Sequence, residues 1–242
     1  MADSRIPAWQ ERTALLFGEG GLEKLAAATV MVVGVGGVGA AAAEMIARAG
    51  VGHMVLVDAD VVSQSNINRQ LPALHSTVGR SKCEVVAARL RDINPALRLD
   101  IVPEFICEEN IPSLLGAFTP SFVVDAIDTL SPKIALIQYC LSMHWPLVSS
   151  MGSGAKTDAT KVRLADISKT HDCPLAHQLR KRLHRLGITE GFLAVFSEEK
   201  PDRNALVLEE GRNKKSNVGT VSYLPAVFGC VCAQAAICGI VK

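Results

Sequence analysis

Apolar residues in the first quarter of the chain form two short runs, with a helix-like stretch of small residues between them. Val30 to Val33 make up the first run, and Val55 to Val57 end the second. The stretch between them is rich in alanine, which favours helix. Short apolar runs bounded by glycine and acidic residues are typical of buried parallel strands. The pattern therefore predicts a β-α-β unit over residues 30 to 60.

The same alternation continues toward the C-terminus. We predict further strands at Leu99 to Val102, Phe122 to Ala126, Pro146 to Ser150 and Thr160 to Leu164, and helices at Ser81 to Ile93 and Ser131 to Met143. Later runs follow one another without long helices, at Phe192 to Phe196, Ala205 to Leu208 and Gly219 to Tyr223. Such spacing favours antiparallel pairing. The expected fold is α/β, with a doubly wound, Rossmann-like, mostly parallel sheet and an antiparallel C-terminal extension.

Composition indicates one domain over residues 1–242. The chain is 49% hydrophobic but only 5% aromatic, and its net charge is +1. This length is sufficient for one substantial core. Within the near-neutral chain, residues 166–190 form a predicted basic helical insert. Its leucines 175, 179, 183 and 186 share a helical stripe, and its other faces carry Arg180, Lys181, Arg182 and Arg185.

That basic patch suits a nucleic-acid backbone. The alternative is a helix face that is merely solvated.

Two segments near the C-terminus need separate interpretation. Val221 to Val241 is 21 residues without a charge, which is long enough to span a membrane. It contains Ser222, Pro225 and Gln234, however, so we predict a buried helix and no membrane partner. Around Arg212 to Ser216 we predict a mobile, charged loop.

The turn after the first strand carries a glycine pattern. Gly34, Gly36 and Gly39 fall on G-x-G-x-x-G, with Gly37 inside it, and Asp58 stands nineteen residues after the last glycine. Such glycines allow a tight turn, so that the unpaired N–H groups of a helix N-terminus can face phosphate, while a strand-end acid suits ribose hydroxyls. We therefore predict a nucleotide site; the alternative is glycine used only for close helix–strand packing.

Polar residues after Asp58 indicate which nucleotide binds. They are Asp60, Asn66, Arg69, Gln70 and Lys82, followed by Asp128 beyond the Phe122 strand. Strand ends on one edge of a doubly wound sheet share a crevice, so these groups can form one site. Cations neutralise a triphosphate, and an aspartate is a hard oxygen ligand for Mg²⁺. ATP therefore fits better than NAD. Taken singly, Arg69 and Lys82 could be surface charges and Asp128 a helix cap.

These motifs together resemble the ubiquitin-activating-enzyme-like (HesA/MoeB/ThiF) adenylyltransferases over nearly the whole chain. The resemblance implies that a substrate carboxylate attacks the α-phosphate of Mg-ATP. It also assigns roles by position. Asp58 would hold the ribose, Asn66, Arg69 and Lys82 the phosphates, and Asp128 the magnesium ion. Gly34, Gly36, Gly37, Gly39, Asp60 and Gln70 complete the expected nucleotide site, with Arg69, Lys82 and Asp128 counted as catalytic.

Arg12 matches the family's N-terminal arginine, which reaches into the partner subunit's site. The resemblance therefore implies a homodimer in which Arg12 is a further catalytic residue. On its sequence alone, Arg12 would more simply lie on the exposed face of a short amphipathic helix.

The cysteines separate the branches of this family. Sulfur-carrier activators usually carry two C-x-x-C pairs, a tetrahedral zinc signature, and this sequence has none. An odd count of seven cysteines indicates reduced thiols and a cytoplasmic protein. Cys173 is the one thiol expected in a polar loop, where a structural or incidental role is the alternative to a reactive one.

The region from Asp166 to Arg185 is similar to the branch that dehydrates threonylcarbamoyladenosine in transfer RNA. In that branch adenylation would turn a carboxylate oxygen into a leaving group, and a carbamoyl atom would displace AMP. The expected partner is then tRNA bearing this modification, held by the basic helix. The alternative is activation of a sulfur-carrier or ubiquitin-like protein through its C-terminus.

Overall fold

A seven-stranded sheet forms the centre of the protein. The computed structural model describes residues 6–208 and 216–242. The strands are β1 (Thr29–Val33), β2 (His53–Val57), β3 (Arg98–Val102), β4 (Phe122–Asp125), β5 (Leu147–Ser150), β6 (Val162–Asp166) and β7 (Leu193–Ser197). Their order is β3-β2-β1-β4-β5-β7-β6, and all neighbours are parallel except β7 and β6. The predicted mostly parallel sheet with an antiparallel C-terminal part is confirmed.

Helices cover both faces of this sheet. They are α1 (Glu11–Ala27), α2 (Gly37–Ala49), α3 (Lys82–Ile93), α4 (Ile111–Leu115), α5 (Leu130–Ser142), α6 (Pro174–His184) and α7 (Tyr223–Val241). One core cluster joins the sheet to α2, α3 and α7, and the other joins it to α4, α5 and α6. Alternate residues of each strand supply the two clusters, because successive side chains point to opposite faces. The arrangement is the predicted doubly wound one.

A separate antiparallel pair follows the main sheet. Its strands are β8 (Leu206–Leu208) and β9 (Ser216–Val218). The predicted strand at Gly219 to Tyr223 is wrong, since β9 ends before it and Tyr223 begins α7. Pro225 lies in the first turn of that helix, where its missing N–H leaves no hydrogen bond unmade. Arg212 and the three residues after it lie outside the described residues, so the mobile loop stays a prediction.

Helix α7 is the one described helix long and apolar enough, by length and composition, to cross a membrane. It instead lies against α2, with Leu224, Phe228 and Cys232 buried. At Gly229 a Cβ would stand 2.7 Å from the Cβ of Ala41, so the two helices approach closely. An apolar helix packed in this way belongs to a core. The contacts support the predicted buried helix.

The basic insert connects β6 to β7 and contains α6. Ala176, Leu179 and Leu183 are buried, whereas Leu186 lies beyond the helix end and is half exposed. One prediction for this helix is wrong. Arg180 is not on an exposed face but partly buried, because its guanidinium donates to the hydroxyl of Thr170. Lys181, Arg182 and Arg185 are exposed as predicted.

Candidate nucleotide-binding and catalytic site

A cleft of about 890 Å³ lies at the carboxyl ends of β1, β2, β4 and β5. Parallel strands deliver their C-terminal residues to one edge, which is where ligands bind in such sheets. Ten of the residues predicted from the sequence line the cleft: Gly34, Gly36, Gly37, Asp58, Asp60, Asn66, Arg69, Gln70, Lys82 and Asp128. The structure therefore brings the strand-end acids and the following cations to one cleft, while their binding roles stay predictions.

The glycine loop is shaped by close backbone approach. Gly34 has φ +86°, and a Cβ there would lie 2.9 Å from the carbonyl oxygen of Ala126. Helix α2 begins at Gly37 without a side-chain cap, which leaves its first N–H groups available to an anion. Gly39 is buried behind the loop, does not line the cleft, and would meet the Gly34 carbonyl oxygen if it carried a Cβ. Its position there is that of a packing glycine.

Asp58 is held in one orientation at the end of β2. Its two carboxylate oxygens accept hydrogen bonds from the backbone N–H groups of Val35 and Asp60, each at 2.8 Å. Burial raises the pKa of Asp58, while the nearby Lys82 and the two backbone hydrogen bonds oppose that rise. The result is a fixed acceptor between the glycine loop and the second strand.

The two predicted phosphate-binding cations already have protein partners. Lys82 is buried at the start of α3, and its Nζ lies 2.6 Å from Oδ2 of the exposed Asp60. Arg69 donates through Nη1 to the Ser65 carbonyl and to Oδ1 of Asn68, each at 2.8 Å. These contacts use Nη1 and leave the other donors of the guanidinium for a ligand. Both cations are thus oriented before any nucleotide arrives.

Two amide side chains border the same wall. Oδ1 of Asn66 accepts from the backbone N–H of Ser63 at 3.1 Å, which leaves its NH₂ group as a donor. Gln70 lies beside Gly36, and its Oε1 is buried without a hydrogen-bond partner. Buried acceptors are rarely left unpaired in native proteins. Gln70 thus lines the cleft with a covered acceptor that no described group satisfies.

Behind the cleft lies a charged cluster that the sequence reasoning missed. Lys133 Nζ is 2.7 Å from Oδ2 of Asp125 and 3.0 Å from Oγ of Ser149, and the serine donates to the same Oδ2 at 2.6 Å. All three residues are fully buried. Asp125 therefore lies deeper in the sheet than Asp128, which is exposed. A lysine within the apolar helix segment after Pro132 was the available signal.

Asp128 follows β4 and is exposed on the cleft wall. Among the described residues there is no group of three or more His, Cys, Asp or Glu side chains that could hold a metal. Mg²⁺ in nucleotide sites needs only one or two carboxylates, with water and phosphates as its other ligands. The exposed carboxylate of Asp128 on the cleft wall fits that kind of ion and not an all-protein cage.

Two further cleft residues were not expected. Lys156 lines the cleft and is buried, and Cys173 lines it from the residue before α6. Cys173 lies in the predicted loop, after the exposed His171 and Asp172, but it is itself buried. No sequence motif indicated that Lys156 would be a buried residue of the cleft.

Arg12 lies on the exposed side of α1 and does not line the cleft. Next to it, Leu15 and Leu16 are 89% and 75% exposed. Adjacent exposed leucines are typical of a surface that another chain covers. The contribution of Arg12 to a partner's site stays a prediction.

Comparisons with known proteins agree with this geometry. The chain is 40% identical over 228 residues to the tRNA threonylcarbamoyladenosine dehydratase of Bacillus subtilis, covering 91% of this chain and 89% of that protein. It is 39% identical over 251 residues to the enzyme of the same name from Escherichia coli, covering 95% and 93%. The crystal structure of the E. coli tRNA N6-threonylcarbamoyladenosine dehydratase in complex with ATP superposes with a TM-score of 0.88 at 38% identity, covering 97% and 96%. The ThiF family model matches residues 10–242. The chain therefore belongs to the ThiF family.

Proposed function

We propose that this protein uses ATP to dehydrate threonylcarbamoyladenosine in transfer RNA, closing the modification into a ring through an acyl-adenylate. The observation that carries the proposal is the cleft itself, in which a nucleotide-type glycine loop, an oriented ribose acceptor and two oriented cations converge. Relatives of about 40% identity that bear this activity in their names, and one solved with ATP, support the same assignment.

The need for adenylation follows from the leaving group in the ring closure. A carboxylate cannot undergo ring closure by expelling oxide. In the first step its oxygen attacks the α-phosphate of ATP, and the bond to pyrophosphate breaks. In the second step a carbamoyl nitrogen or oxygen attacks the activated carbonyl carbon, loses its proton, and displaces AMP, which retains the carboxylate oxygen. The net change is loss of water from the modified nucleoside, without a covalent enzyme intermediate.

Each cleft residue has a defined part in this proposal. The oriented carboxylate of Asp58 accepts from the ribose hydroxyls. Arg69 and Lys82 contact the phosphates and offset the charge that develops on the transferred and leaving groups, while Asn66 donates its free amide protons. For Lys82 this requires the ammonium to turn from Asp60 toward the nucleotide.

Asp128 would hold the magnesium ion of Mg-ATP. When bound, that ion supplies positive charge beside the phosphates. The exposed carboxylate contributes an oxygen ligand at the edge of the cleft, on the loop anchored by Asp125.

Two surfaces of the protein would bind the macromolecular partners. The exposed Lys181, Arg182 and Arg185 of α6 would bind the backbone of the anticodon stem-loop. Arg12 and the exposed leucines of α1 would lie at a homodimer interface and complete the partner's site. We also expect the enzyme to work in the cytoplasm, without a membrane partner.

ATP–pyrophosphate exchange tests the proposal and its alternative. Exchange should depend on tRNA that bears the threonylcarbamoyl group, with the same tRNA lacking the group as the matched control. Exchange that instead requires a protein with a Gly-Gly C-terminus would identify a sulfur-carrier activator. Absence of exchange with either substrate would refute adenylation altogether.

A further inference from the structure

The buried lysines among the described residues differ in the partners that their ammonium groups contact. They are Lys82, Lys133 and Lys156. The first two have carboxylate partners at 2.6 and 2.7 Å. The ammonium of Lys156 instead donates to the backbone carbonyls of Asp172 at 3.2 Å and Ser197 at 2.8 Å. It forms no ion pair with any described residue.

A buried cation without an anion is unfavourable, because desolvation is then not offset by charge pairing. Burial lowers the pKa of Lys156, and the nearby Cys173, Glu199 and Asp172 only partly oppose that change. An ammonium has three N–H donors, and carbonyl oxygens occupy two of them. Lys156 is one of the residues that line the cleft, and its positive charge, only partly offset by those neighbours, attracts an anion from that direction. An anion in the cleft would supply the ion-pair partner that Lys156 lacks among the described residues.

The place of Lys156 in the fold indicates which anion. Arg69 and Lys82 follow β2, and the glycine loop follows β1. Lys156 follows β5, which the sheet order separates from β1 by β4. Residues that hold ribose and phosphates thus occupy one side of the cleft, and Lys156 lies across it. On this far wall, α6 begins at Pro174 without a side-chain cap, so the positive end of its dipole adds to the same potential.

The backbone on this wall is strained. Ala155 has φ +59° and Asp172 has φ +49°, and they immediately precede Lys156 and Cys173. Non-glycine residues rarely adopt this left-handed conformation, and it persists mainly where the surrounding structure imposes it at functional positions. Here it occurs at both segments that place buried side chains on the far wall.

We propose that Lys156 binds the carboxylate of the substrate before that carboxylate attacks ATP. The inference rests on the proposed function, in which the substrate is the only carboxylate-bearing reactant. A fixed ammonium across from the phosphates would hold the carboxylate at the α-phosphate side of the cleft. It would also distinguish the modified nucleoside from an unmodified adenosine, which carries no charge at that position.

Binding measurements on two tRNAs isolate this contact. The dissociation constant is measured for tRNA that bears the threonylcarbamoyl group and for the same tRNA without it. The wild-type protein should prefer the modified tRNA, and Lys156→Gln should reduce that preference by about tenfold to a hundredfold, as expected for one charge-assisted hydrogen bond. The affinity for ATP and for unmodified tRNA should not change.

Three variants complete the design. Lys161→Gln alters an exposed lysine of the neighbouring turn and should leave the preference intact. Lys156→Arg keeps the charge and should retain part of the preference. If Lys156→Gln does not fold, as judged by circular dichroism, Lys156→Met serves as the neutral variant and must show the same loss.

The outcomes separate the two proposals. An unchanged preference in the neutral variant would overturn the role of Lys156, and so would a loss of ATP affinity alone, since the ammonium would then bind a phosphate. If wild-type protein neither prefers modified tRNA nor shows exchange with it, the proposed function itself fails. Wild-type exchange that is normal, with no effect at Lys156, would contradict only this inference.

Discussion

The buried cluster of Lys133, Asp125 and Ser149 makes a quantitative prediction about stability. Substitution of Lys133 by methionine retains most of the side-chain volume and removes the ammonium. The carboxylate of Asp125 would then remain buried, with hydrogen bonds from the Ser149 hydroxyl and the Ile127 N–H only. Because all three residues are fully buried, bulk solvent does not screen the charge that remains.

Removal of one partner from a buried ion pair costs about 3–5 kcal/mol, since the other charge is left uncompensated. The free energy of unfolding of a typical domain is about 5–15 kcal/mol. Lys133→Met should therefore remove a large fraction of the stability of this protein. The double variant Lys133→Met with Asp125→Asn should lose less than the sum of the single changes, because it leaves no buried charge. The difference measures the coupling between the two side chains.

Urea unfolding followed by circular dichroism gives these free energies. Lys169→Met, at an exposed position, is the matched control and should leave the urea midpoint close to that of the wild type. A loss of less than about 1 kcal/mol for Lys133→Met would refute the reasoning, because the cluster would then be too weakly coupled or too accessible to water for a fully buried ion pair.

The same substitution should also affect the cleft. The backbone N–H of Ile127 donates to Oδ1 of Asp125 at 3.1 Å, which ties the loop that carries Asp128 to the buried cluster. We expect pyrophosphate exchange in Lys133→Met to fall even at temperatures where the variant is fully folded. Normal exchange in the folded variant would show that the loop keeps its position without the cluster.

The remaining predictions concern the cleft and the basic helix. Arg69→Ala should lower exchange by about a hundredfold, equivalent to about 3 kcal/mol of transition-state stabilisation; normal exchange with a normal circular dichroism spectrum would remove Arg69 from the site. Asp128→Asn should raise the magnesium concentration needed for half-maximal exchange, and an unchanged requirement would move the metal ligand elsewhere. Replacing Lys181 and Arg185 by Glu should weaken tRNA binding and flatten its slope against log salt by about 1 to 2 units, while calorimetry shows unchanged ATP affinity. If affinity and slope both persist, α6 is only a solvated surface.

The local pattern of apolar and polar residues was sufficient to predict the sheet and one side of the cleft. The β-α-β unit, the strand-end acids and Lys82 each lie beside a strand or helix whose apolar run predicts it. Position in a parallel sheet then determines where such residues meet. The order of the strands around β1 brings Asp58 and Asp128 to the same edge, although 70 residues separate them in sequence.

The far wall could not be predicted in the same way. Lys156 and Cys173 become buried only because β7 and α6 fold over the segments that contain them, which is a long-range event without a local signature. The strand at Gly219 to Tyr223 failed for a related reason. A short apolar run is equally typical of a strand and of the first turn of a buried helix. The packing of α7 on α2 decides which of the two forms.

The pair of Lys82 and Asp60 has a consequence for product release. Asp60 is 69% exposed at its side chain, so its hold on the ammonium is weakened by solvent screening and a polyphosphate can replace it. A nucleoside monophosphate carries less negative charge, so it competes less well with Asp60 for the ammonium of Lys82. If Lys82 contacts the phosphates as proposed, Asp60 would act as an internal competitor that a triphosphate displaces and that regains the lysine once only AMP is left. We expect Asp60→Asn to bind AMP more tightly than the wild type does, which would slow the enzyme by retaining its own product.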